Sequence, residues 1–568
     1  MRIDQVALIP AYVAAGTAVL ALLVDLLWPG RRGPVMGATA VGMAGVLAAA
    51  VAVGVSGEHR SAFCFGPDHC SLVLDPAAAI VAGVFAGLAL GALGLSVPLL
   101  RTGEVPVGEY CFLLACSLAG AVVLGGARDL ITLIVALETL TLPLYLLVGL
   151  RRGAREGGTA AVTFFVVSVV STAVALLGAA LVFTATGGVH FSDIAAGTGH
   201  LAGRSVDVGA AGAATGALLK AGVVLLLVGL GFKVAAVPAH AWAPATYDGA
   251  PLPVAAYLST ASKLGGVVAL LLVGVSAARP VLSTSGLTLA VLAVLSMTVG
   301  NLVALRQRRM VRLLAWSSVA QAGYLLAPLG ALVAADQVTP LLVAATIGYA
   351  FFYVVLEFTA FGALVAVRGA GDGGTIADYR GLTRRSPWLT AVLVLALAGL
   401  AGLPPGLAGL FAKVAVVRSL LGGDAAWLAI VVAVNAVIGL AYYVRVGATF
   451  FAAPAGPGNA VGVDDVLGDG GRDGAVGGGA VGGGGRNDVV GEGGGGRSDV
   501  VEGGGGRSGL VEGGGGRGGL VEGDEVGAVA QRVRVPWAVA VAVAVAAVVA
   551  VLVGLGPEVV MRAAGAFG

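Results

Sequence analysis

The sequence predicts an all-α polytopic membrane protein. The 568-residue chain is 58% hydrophobic, and only 11% of its residues are charged, against about 25% in an average soluble protein. Apolar runs of about 20 residues, enough to cross the hydrocarbon core of a bilayer, recur along most of the chain. Backbone groups in a bilayer must be hydrogen-bonded internally, and the alternating pattern of a membrane barrel is missing. Each run is therefore expected to be a helix.

About fourteen runs have the length of a membrane span. Their centres lie near Ala15, Val46, Val84, Leu118, Leu137, Val170, Leu226, Val267, Val291, Ala322, Val354, Ala401, Val434 and Val545. When the loops are assigned alternately to two sides, arginine is concentrated on one side, in segments such as 151–155, 306–312 and 380–385. The positive-inside rule makes this side cytoplasmic and predicts that both termini lie outside.

One loop on the predicted outer side contains the sequence "CFGPDHC", from Cys64 to Cys70. An oxidising compartment permits a disulfide between these two cysteines. A metal site formed by cysteine and histidine is the alternative that this spacing leaves open.

Lysine is rare and has an unusual distribution. Lysine and arginine together number 33, and the lysines among them all lie in or at the edge of apolar spans: Lys220, Lys233, Lys263 and Lys413. Codon bias explains arginine in the loops but does not explain lysine in the membrane. A buried lysine can release its proton, whereas arginine stays protonated. Lys220, near the outer edge of its span, is expected to extend its ammonium group toward the interface.

Two of the lysines lie beside helix-breaking residues. Lys233 follows "LVGLGF" and precedes Pro238, and Lys413 follows "GLPPGLAGLFA", which contains Pro404 and Pro405. Proline frees backbone groups, which are tolerated at membrane depth only where protein or cavity water satisfies them. Broken helices at corresponding positions of two halves indicate an inverted-repeat transporter.

Glu138 is a carboxylate within the apolar run "LITLIVALETLTLPLYLL". A carboxylate in this environment needs a cationic partner, and Lys233 and Lys263 are the candidates. Such a pair titrates as a coupled unit, which is the property that a proton relay requires. A static ion pair that holds two helices together is the alternative interpretation.

Two further ionisable residues are candidates for a relay. His240 lies between Lys233 and Lys263 in the sequence, and histidine titrates near neutrality. A hydrogen-bonded structural histidine is the other interpretation. Glu357, in "FFYVVLEFTAFGALV", is a second carboxylate within a predicted span.

The segment 454–535 departs from the membrane pattern, with "GGGGR" recurring in it. Few of its side chains are large enough to form a core, so the composition predicts a disordered cytoplasmic linker. The sequence contains neither a dinucleotide-binding fingerprint nor a four-cysteine set for an iron–sulfur cluster. We therefore expect this chain to bind no metal, redox cofactor or nucleic acid.

The segment "GFKVAAVPAHAWAPATYDGAPLPVAAYLSTASKLGG" resembles the signature of the antiporter-like subunits of proton-pumping NADH:quinone oxidoreductase, respiratory complex I. The resemblance continues through "GNLVALRQRRMVRLLAWSSVAQAGYLL", "DYRGLTRRSPWL", "LAGLAGLPPGLAGLFAKVAVV" and "YYVRV". Among these subunits the chain is most similar to subunit N, because Lys413 stands where subunit M typically has glutamate and the long lateral helix of subunit L is missing.

The resemblance implies a function and a set of site residues. Glu138 and Lys233 would form the pair of the first half channel, Lys263 would be the central relay lysine, and Lys413 would belong to the exit half channel. Protons would move outward from the cytoplasm in response to quinone reduction elsewhere. NADH, FMN, iron–sulfur clusters and quinone would bind to other membrane and peripheral subunits. The location would be the bacterial inner membrane.

The resemblance also implies fourteen helices with two inverted five-helix repeats. The expected divisions are N-terminal transmembrane helices over 1–107, a first repeat over 108–278, a second repeat over 279–453, the linker over 454–535 and a C-terminal transmembrane helix over 536–568.

The chain departs from the subunit N pattern at three positions. Thr163 lies near the place where many of these subunits have a lysine, Ala245 stands where aspartate is common, and Glu357 stands where asparagine is usual. These departures suggest a divergent copy. The alternative functions are a subunit of a multisubunit cation/proton antiporter or of a membrane-bound hydrogenase, which share these motifs, and a purely structural membrane subunit.

Overall fold

The computed structural model describes residues 2–65, 69–196, 198–201, 204–207, 213–334, 337–453, 533 and 535–565. The segment predicted to be a linker therefore lies outside the described residues, apart from Val533 and Val535.

Helices make up most of the described chain. In the first half they are α1 Ile9–Leu27, α2 Arg32–Ser56, α3 Pro76–Leu95, α4 Val97–Thr102, α5 Val107–Leu124, α6 Leu130–Gly149, α7 Arg155–Thr186, α8 Phe191–Ala196, α9 Ala213–Gly231, α10 Trp242–Gly249, α11 Leu252–Tyr257 and α12 Lys263–Leu271. In the second half they are α13 Leu282–Ala304, α14 Met310–Gly330, α15 Pro340–Arg368, α16 Leu382–Arg385, α17 Pro387–Ala401, α18 Leu407–Gly422, α19 Ala426–Phe451, α20 Trp537–Leu555 and α21 Pro557–Gly565. Short 3₁₀ turns cover Arg279–Val281, Ala331–Val333 and Ile376–Tyr379.

Twelve helical segments within the described residues are long and apolar enough to cross a membrane. This architecture confirms the predicted all-α, multi-pass membrane fold. The two other predicted spans correspond to α14 and to the pair α17 and α18, which fall outside those twelve segments. The total of fourteen, the two inverted repeats and the domain boundaries stay predictions.

Small residues allow some of the long helices to approach closely. In α7, a methyl group added to Gly178 would lie 2.4 Å from the backbone nitrogen of Leu226 in α9. From the other side, a methyl group on Gly229 would lie 2.6 Å from the backbone nitrogen of Ala175. Close backbone contact through small residues is a common way for membrane helices to pack.

A small antiparallel sheet, which was not predicted from the sequence, combines a strand before α1 with two strands between α2 and α3. It has the order β1 Arg2–Ile3, β2 Arg60–Cys64, β3 Cys70–Leu74, with Cys64 opposite Cys70. These two cysteines form a disulfide with an S–S distance of 2.06 Å. Of the two alternatives for these cysteines, a disulfide and a metal site, the structure contains the disulfide. A second hairpin consists of β4 Thr198–Leu201 and β5 Arg204–Asp207.

An arginine clamp on the predicted cytoplasmic side joins α10 to the start of α14. Arg309 Nε lies 2.9 Å from Asp248 Oδ1, and Arg312 Nε lies 2.9 Å from Asp248 Oδ2. The hydrogen bond to the Asp248 carboxylate raises the pKa of the Arg309 guanidinium above its usual value. The clamp fixes the end of the broken segment that begins at Lys233.

Candidate functional site

Lys233 lies where a membrane helix ends. Helix α9 stops at Gly231, a turn covers the next residues, and the Val237–Pro238 peptide bond is cis. The Trp242 indole donates to the Phe232 backbone oxygen at 3.1 Å, which ties α10 back to this turn. The break therefore places the Lys233 side chain in the protein interior, where it is only 3% exposed.

The Lys233 ammonium group has three hydrogen-bond acceptors. Its Nζ lies 2.9 Å from Glu138 Oε1, 2.9 Å from Thr141 Oγ1 and 3.3 Å from Ser168 Oγ. These three acceptors match the three N–H donors of a charged lysine. Of the two lysines proposed as partners for Glu138, Lys233 is the one that forms an ion pair with it.

A residue of α7 also forms a hydrogen bond with the Glu138 side chain. Thr172 donates to Glu138 Oε1 at 2.7 Å, so one carboxylate oxygen accepts from both Thr172 and Lys233. The Ser168 hydroxyl also contacts the Tyr145 hydroxyl. The first cluster, which we define as Glu138, Lys233, Thr141, Ser168, Thr172 and Tyr145, thus joins α6 and α7 to the break after α9.

Lys263, the predicted central relay lysine, is fully buried. It directly follows a π-helical segment, Leu258–Ser262, and a second π-helical segment, Leu272–Ala277, ends the same span. Interruptions of this kind inside α-helices are frequent at functional sites. Lys263 Nζ donates to Ser318 Oγ at 2.9 Å and also to the Ser318 backbone oxygen.

Helix α12 links this central lysine to the first cluster. A methyl group on Gly266 would lie 2.9 Å from Lys233 Cβ, so the helix that begins with Lys263 packs directly against the Lys233 backbone. The two lysines themselves share no hydrogen-bond partner among the contacts described for them.

Glu357 is buried in α15 and is 0% exposed. Neither of its carboxylate oxygens has a hydrogen-bond partner among the described residues. Tyr349 and Tyr353 precede it at intervals of four residues, which places all three on one face of the helix. Hydrogen bonds among the described residues therefore do not offset the cost of an ionised carboxylate there.

Lys413 binds the end of the second broken helix. Helix α17 ends at Ala401, the Pro404–Pro405 peptide bond is cis, and α18 begins at Leu407. Lys413 Nζ, in α18, donates to the backbone oxygens of Leu400 at 2.9 Å and Ala401 at 2.6 Å. The last carbonyl groups of a helix have no partner within it, and a cation beside them is favourable.

The end of α17 and the start of α18 approach each other so closely that glycine is required there. A methyl group on Gly409 would lie 1.6 Å from the Gly399 backbone oxygen. Gly402 has φ = 84°, in the left-handed region, and a methyl group there would lie 2.9 Å from Lys413 Cδ. The "GLPPG" sequence therefore positions Lys413 against the carbonyl end of α17.

Gln321 connects Lys413 to the centre. Its Nε2 lies 3.1 Å from the Leu400 oxygen that also accepts from Lys413, and 3.2 Å from the Tyr443 hydroxyl. Tyr443 in turn contacts the Ser317 hydroxyl, and Ser317 is the chain neighbour of Ser318, the partner of Lys263. We call Ser318, Ser317, Tyr443 and Gln321 the polar bridge.

The predicted site residues fall into a connected part and a peripheral part. In the connected part, Glu138 and Lys233 share the first cluster, whereas Lys263 and Lys413 lie at the two ends of the polar bridge. No hydrogen bond described for these residues joins the first cluster to the polar bridge. His240 does not contact a lysine: its ring packs 5.2 Å from the Trp316 ring, and its Nδ1 lies 3.2 Å from the Pro238 oxygen. This geometry matches the structural interpretation of His240.

Sequence reasoning missed the hydroxyl and amide groups of the first cluster and of the polar bridge. A signal existed for some of them, because Gln321 and the Ser317–Ser318 pair are polar residues within the buried helix α14. Only the folded structure shows that Tyr443, in α19, completes the bridge. Chemically, the two lysines Lys263 and Lys413 are groups that can bind and release protons, and the polar bridge places polar side chains between them.

The family pattern described as "NADH:quinone oxidoreductase/Mrp antiporter, TM" matches residues 127–439, a range that includes Glu138 and all four lysines. This chain is a member of the NADH:quinone oxidoreductase/Mrp antiporter family. Both proline-broken helices and the polar bridge, apart from Tyr443, also lie within the matched range.

Two bacterial members of the NADH:quinone oxidoreductase/Mrp antiporter family match most of the chain. The NADH-quinone oxidoreductase subunit N of Salinispora tropica is 62% identical over 456 residues, covering 79% of this chain and 85% of that protein. The NADH-quinone oxidoreductase subunit N 2 of Streptomyces griseus is 43% identical over 465 residues, covering 80% and 84%.

Two solved structures are similar to this chain. A chain of respiratory complex I from Thermus thermophilus matches with a TM-score of 0.66 at 27% identity, covering 97% of this chain and 98% of that chain. A chain of the Mrp complex from Dietzia sp. matches with a TM-score of 0.73 at 19% identity, covering 100% and 97%. The second match concerns the fold alone.

Proposed function

We propose that this chain is a membrane subunit of an NADH:quinone oxidoreductase and that it translocates protons across the bacterial inner membrane. The observation that carries the proposal is the series of polar contacts that includes Lys263, the polar bridge and Lys413. The similarity to subunit N proteins supports the choice of complex.

In this proposal the chain carries out no electron transfer. NADH, FMN, iron–sulfur clusters and quinone bind to partner subunits, and quinone reduction there drives changes in the proton affinity of Glu138 and Lys233. An ion pair in a low-dielectric site titrates as a unit, so moving one partner changes the proton affinity of the other. Both termini lie outside, and protons leave the cytoplasm.

The buried lysines suit this role because lysine exchanges its proton far more readily than arginine does. Lys233 receives a proton near the carboxylate of Glu138, Lys263 holds it at the centre, and the polar bridge leads to Lys413. The carbonyl groups at the end of α17 have no partner within the helix. They accept hydrogen bonds from Lys413 and so stabilise its charged form.

Purification of the full-length, tagged chain from its native membrane in a mild detergent tests the proposed complex. We expect co-purification of flavin, iron–sulfur absorbance and NADH:quinone oxidoreductase activity, all supplied by other subunits. Co-purification with other membrane subunits but without flavin, iron–sulfur absorbance or NADH oxidation would overturn the assignment and favour a cation/proton antiporter. Hydrogen oxidation in place of NADH oxidation would favour the hydrogenase.

A further inference from the structure

We propose that His69, His190 and Asp193 form a binding site for a divalent transition metal, with Zn²⁺ as the best chemical match. One nitrogen of each imidazole and one carboxylate oxygen lie within 4.8 Å of one another. Imidazole and carboxylate groups are ligands that zinc commonly uses in proteins. The proposal departs from the sequence-based expectation that this chain binds no metal.

The spacing of one pair of ligand atoms, from His69 and Asp193, fits coordination better than it fits a direct hydrogen bond. His69 Nδ1 lies 3.6 Å from Asp193 Oδ2, beyond the usual hydrogen-bond range of about 2.7–3.2 Å. Two ligand atoms bound to one tetrahedral zinc ion, each about 2.0–2.2 Å from it, are separated by about 3.4 Å. The two imidazole rings are 5.4 Å apart and nearly perpendicular, at 88°.

His190 supplies an independent observation. Its Nε2 atom is buried and has no hydrogen-bond partner among the described residues. Burying a polar atom without a hydrogen-bond partner lowers the stability of the folded state. Such atoms in native proteins therefore call for an explanation, such as a bound ion or a functional role. A site that coordinates a metal accounts for an imidazole held in this environment beside a second imidazole and a carboxylate.

The hairpin that carries His69 is fixed by covalent and backbone contacts. The backbone nitrogen of Phe65 donates to the His69 oxygen at 2.9 Å, and the next residue, Cys70, is bonded to Cys64. The disulfide also removes both of these thiols as competing ligands.

The segment that carries the other two ligands is also held in place. The backbone nitrogen of Phe191 donates to the Arg128 oxygen at 3.0 Å, which fixes the chain beside His190. Asp193 lies in the first turn of α8, and a methyl group on Gly188 would lie 2.6 Å from its Cβ. A metal bound here would join this segment to the hairpin on the predicted outer side.

The surroundings leave space and a suitable charge for a metal ion. His190 also lines a cavity of about 340 Å³ beside the cluster, which has room for water molecules. Two arginines line the same cavity, and each is paired: Arg60 with Asp4 at 3.2 Å and Arg128 with Asp75 at 2.7 Å. The remaining negative charge of Asp193 favours a divalent cation.

Equilibrium dialysis of the full-length chain in detergent against ZnCl₂, after removal of metals with a chelator, tests the proposal. We expect one high-affinity Zn²⁺ per chain and X-ray absorption distances of about 2.0–2.1 Å to nitrogen or oxygen. His69→Ala and His190→Ala should each weaken binding by at least about tenfold. His240→Ala is the matched control, because His240 packs against Trp316 and lies outside the three-residue cluster.

Asp193→Asn keeps the size of the side chain and so separates loss of a ligand from misfolding. It should also lower the affinity, while circular dichroism and the Cys64–Cys70 disulfide stay as in the unaltered chain. Unchanged Zn²⁺ affinity in both His69→Ala and Asp193→Asn would overturn the proposal. A zinc–sulfur distance of about 2.3 Å would also overturn it.

Discussion

Replacement of Lys233 by arginine is expected to leave the complex assembled but to stop proton translocation through this chain. Arginine keeps the positive charge beside Glu138, so the ion pair that joins the first cluster is preserved. Its guanidinium group does not release a proton in proteins, so the relay step at this position is lost. Proton-transfer groups typically contribute about 10²- to 10⁴-fold to rate, so we expect a loss in that range.

The measurement is NADH-driven acidification of vesicles that contain the purified complex, alongside the yield of assembled complex. Lys220→Arg is the matched control, because Lys220 is an exposed lysine in α9, the helix that leads to Lys233. Normal assembly with normal proton translocation in Lys233→Arg would show that the ion pair is static. Lys233→Ala should reduce both assembly and translocation, because it leaves Glu138 without its cationic partner.

Replacement of Gln321 by leucine is expected to disconnect Lys413 from the centre of the chain. Leucine fills a similar space but supplies neither the donor to Leu400 and Tyr443 nor the acceptor for Tyr349, which donates to Gln321 Oε1 at 2.5 Å. These polar groups would then lie buried without their partner, at a cost of about 1–3 kcal/mol each. We expect proton translocation to fall by at least about tenfold.

The same vesicle assay tests this prediction, with thermal stability of the complex as a second measurement. Gln307→Leu is the control, since Gln307 is only partly buried and donates to the Val303 backbone oxygen, away from the polar bridge. A Gln321→Leu complex that is less stable but translocates protons at the normal rate would exclude the polar bridge from the route.

The fold class could be predicted from the sequence because bilayer thickness and backbone hydrogen bonding permit few solutions. That Glu138 would pair with a lysine was also predictable, because a carboxylate in an apolar span needs a cationic partner. The sequence alone left two lysines as partners for Glu138. The choice depends on where the turn after α9 directs the Lys233 side chain, which is a tertiary property.

The polar bridge could not be predicted in the same way. Serine, tyrosine and glutamine are tolerated in membrane helices for many reasons, so their presence does not identify a route. Their connection arises only when α14 packs against α19 and against the break after α17. The hairpin strands were missed because they lie in a short loop between two strong helical patterns.

Central to this account is the idea that Lys263 passes protons between the two halves of the chain. The most direct test is the number of protons translocated per NADH oxidised by the complex with Lys263→Met, a change that keeps the length of the side chain but removes its ionisable group. We predict a lower ratio than in the unaltered complex, or a joint decline of NADH oxidation and translocation in a fully coupled enzyme. An unchanged ratio at an unchanged rate of NADH oxidation would contradict the account.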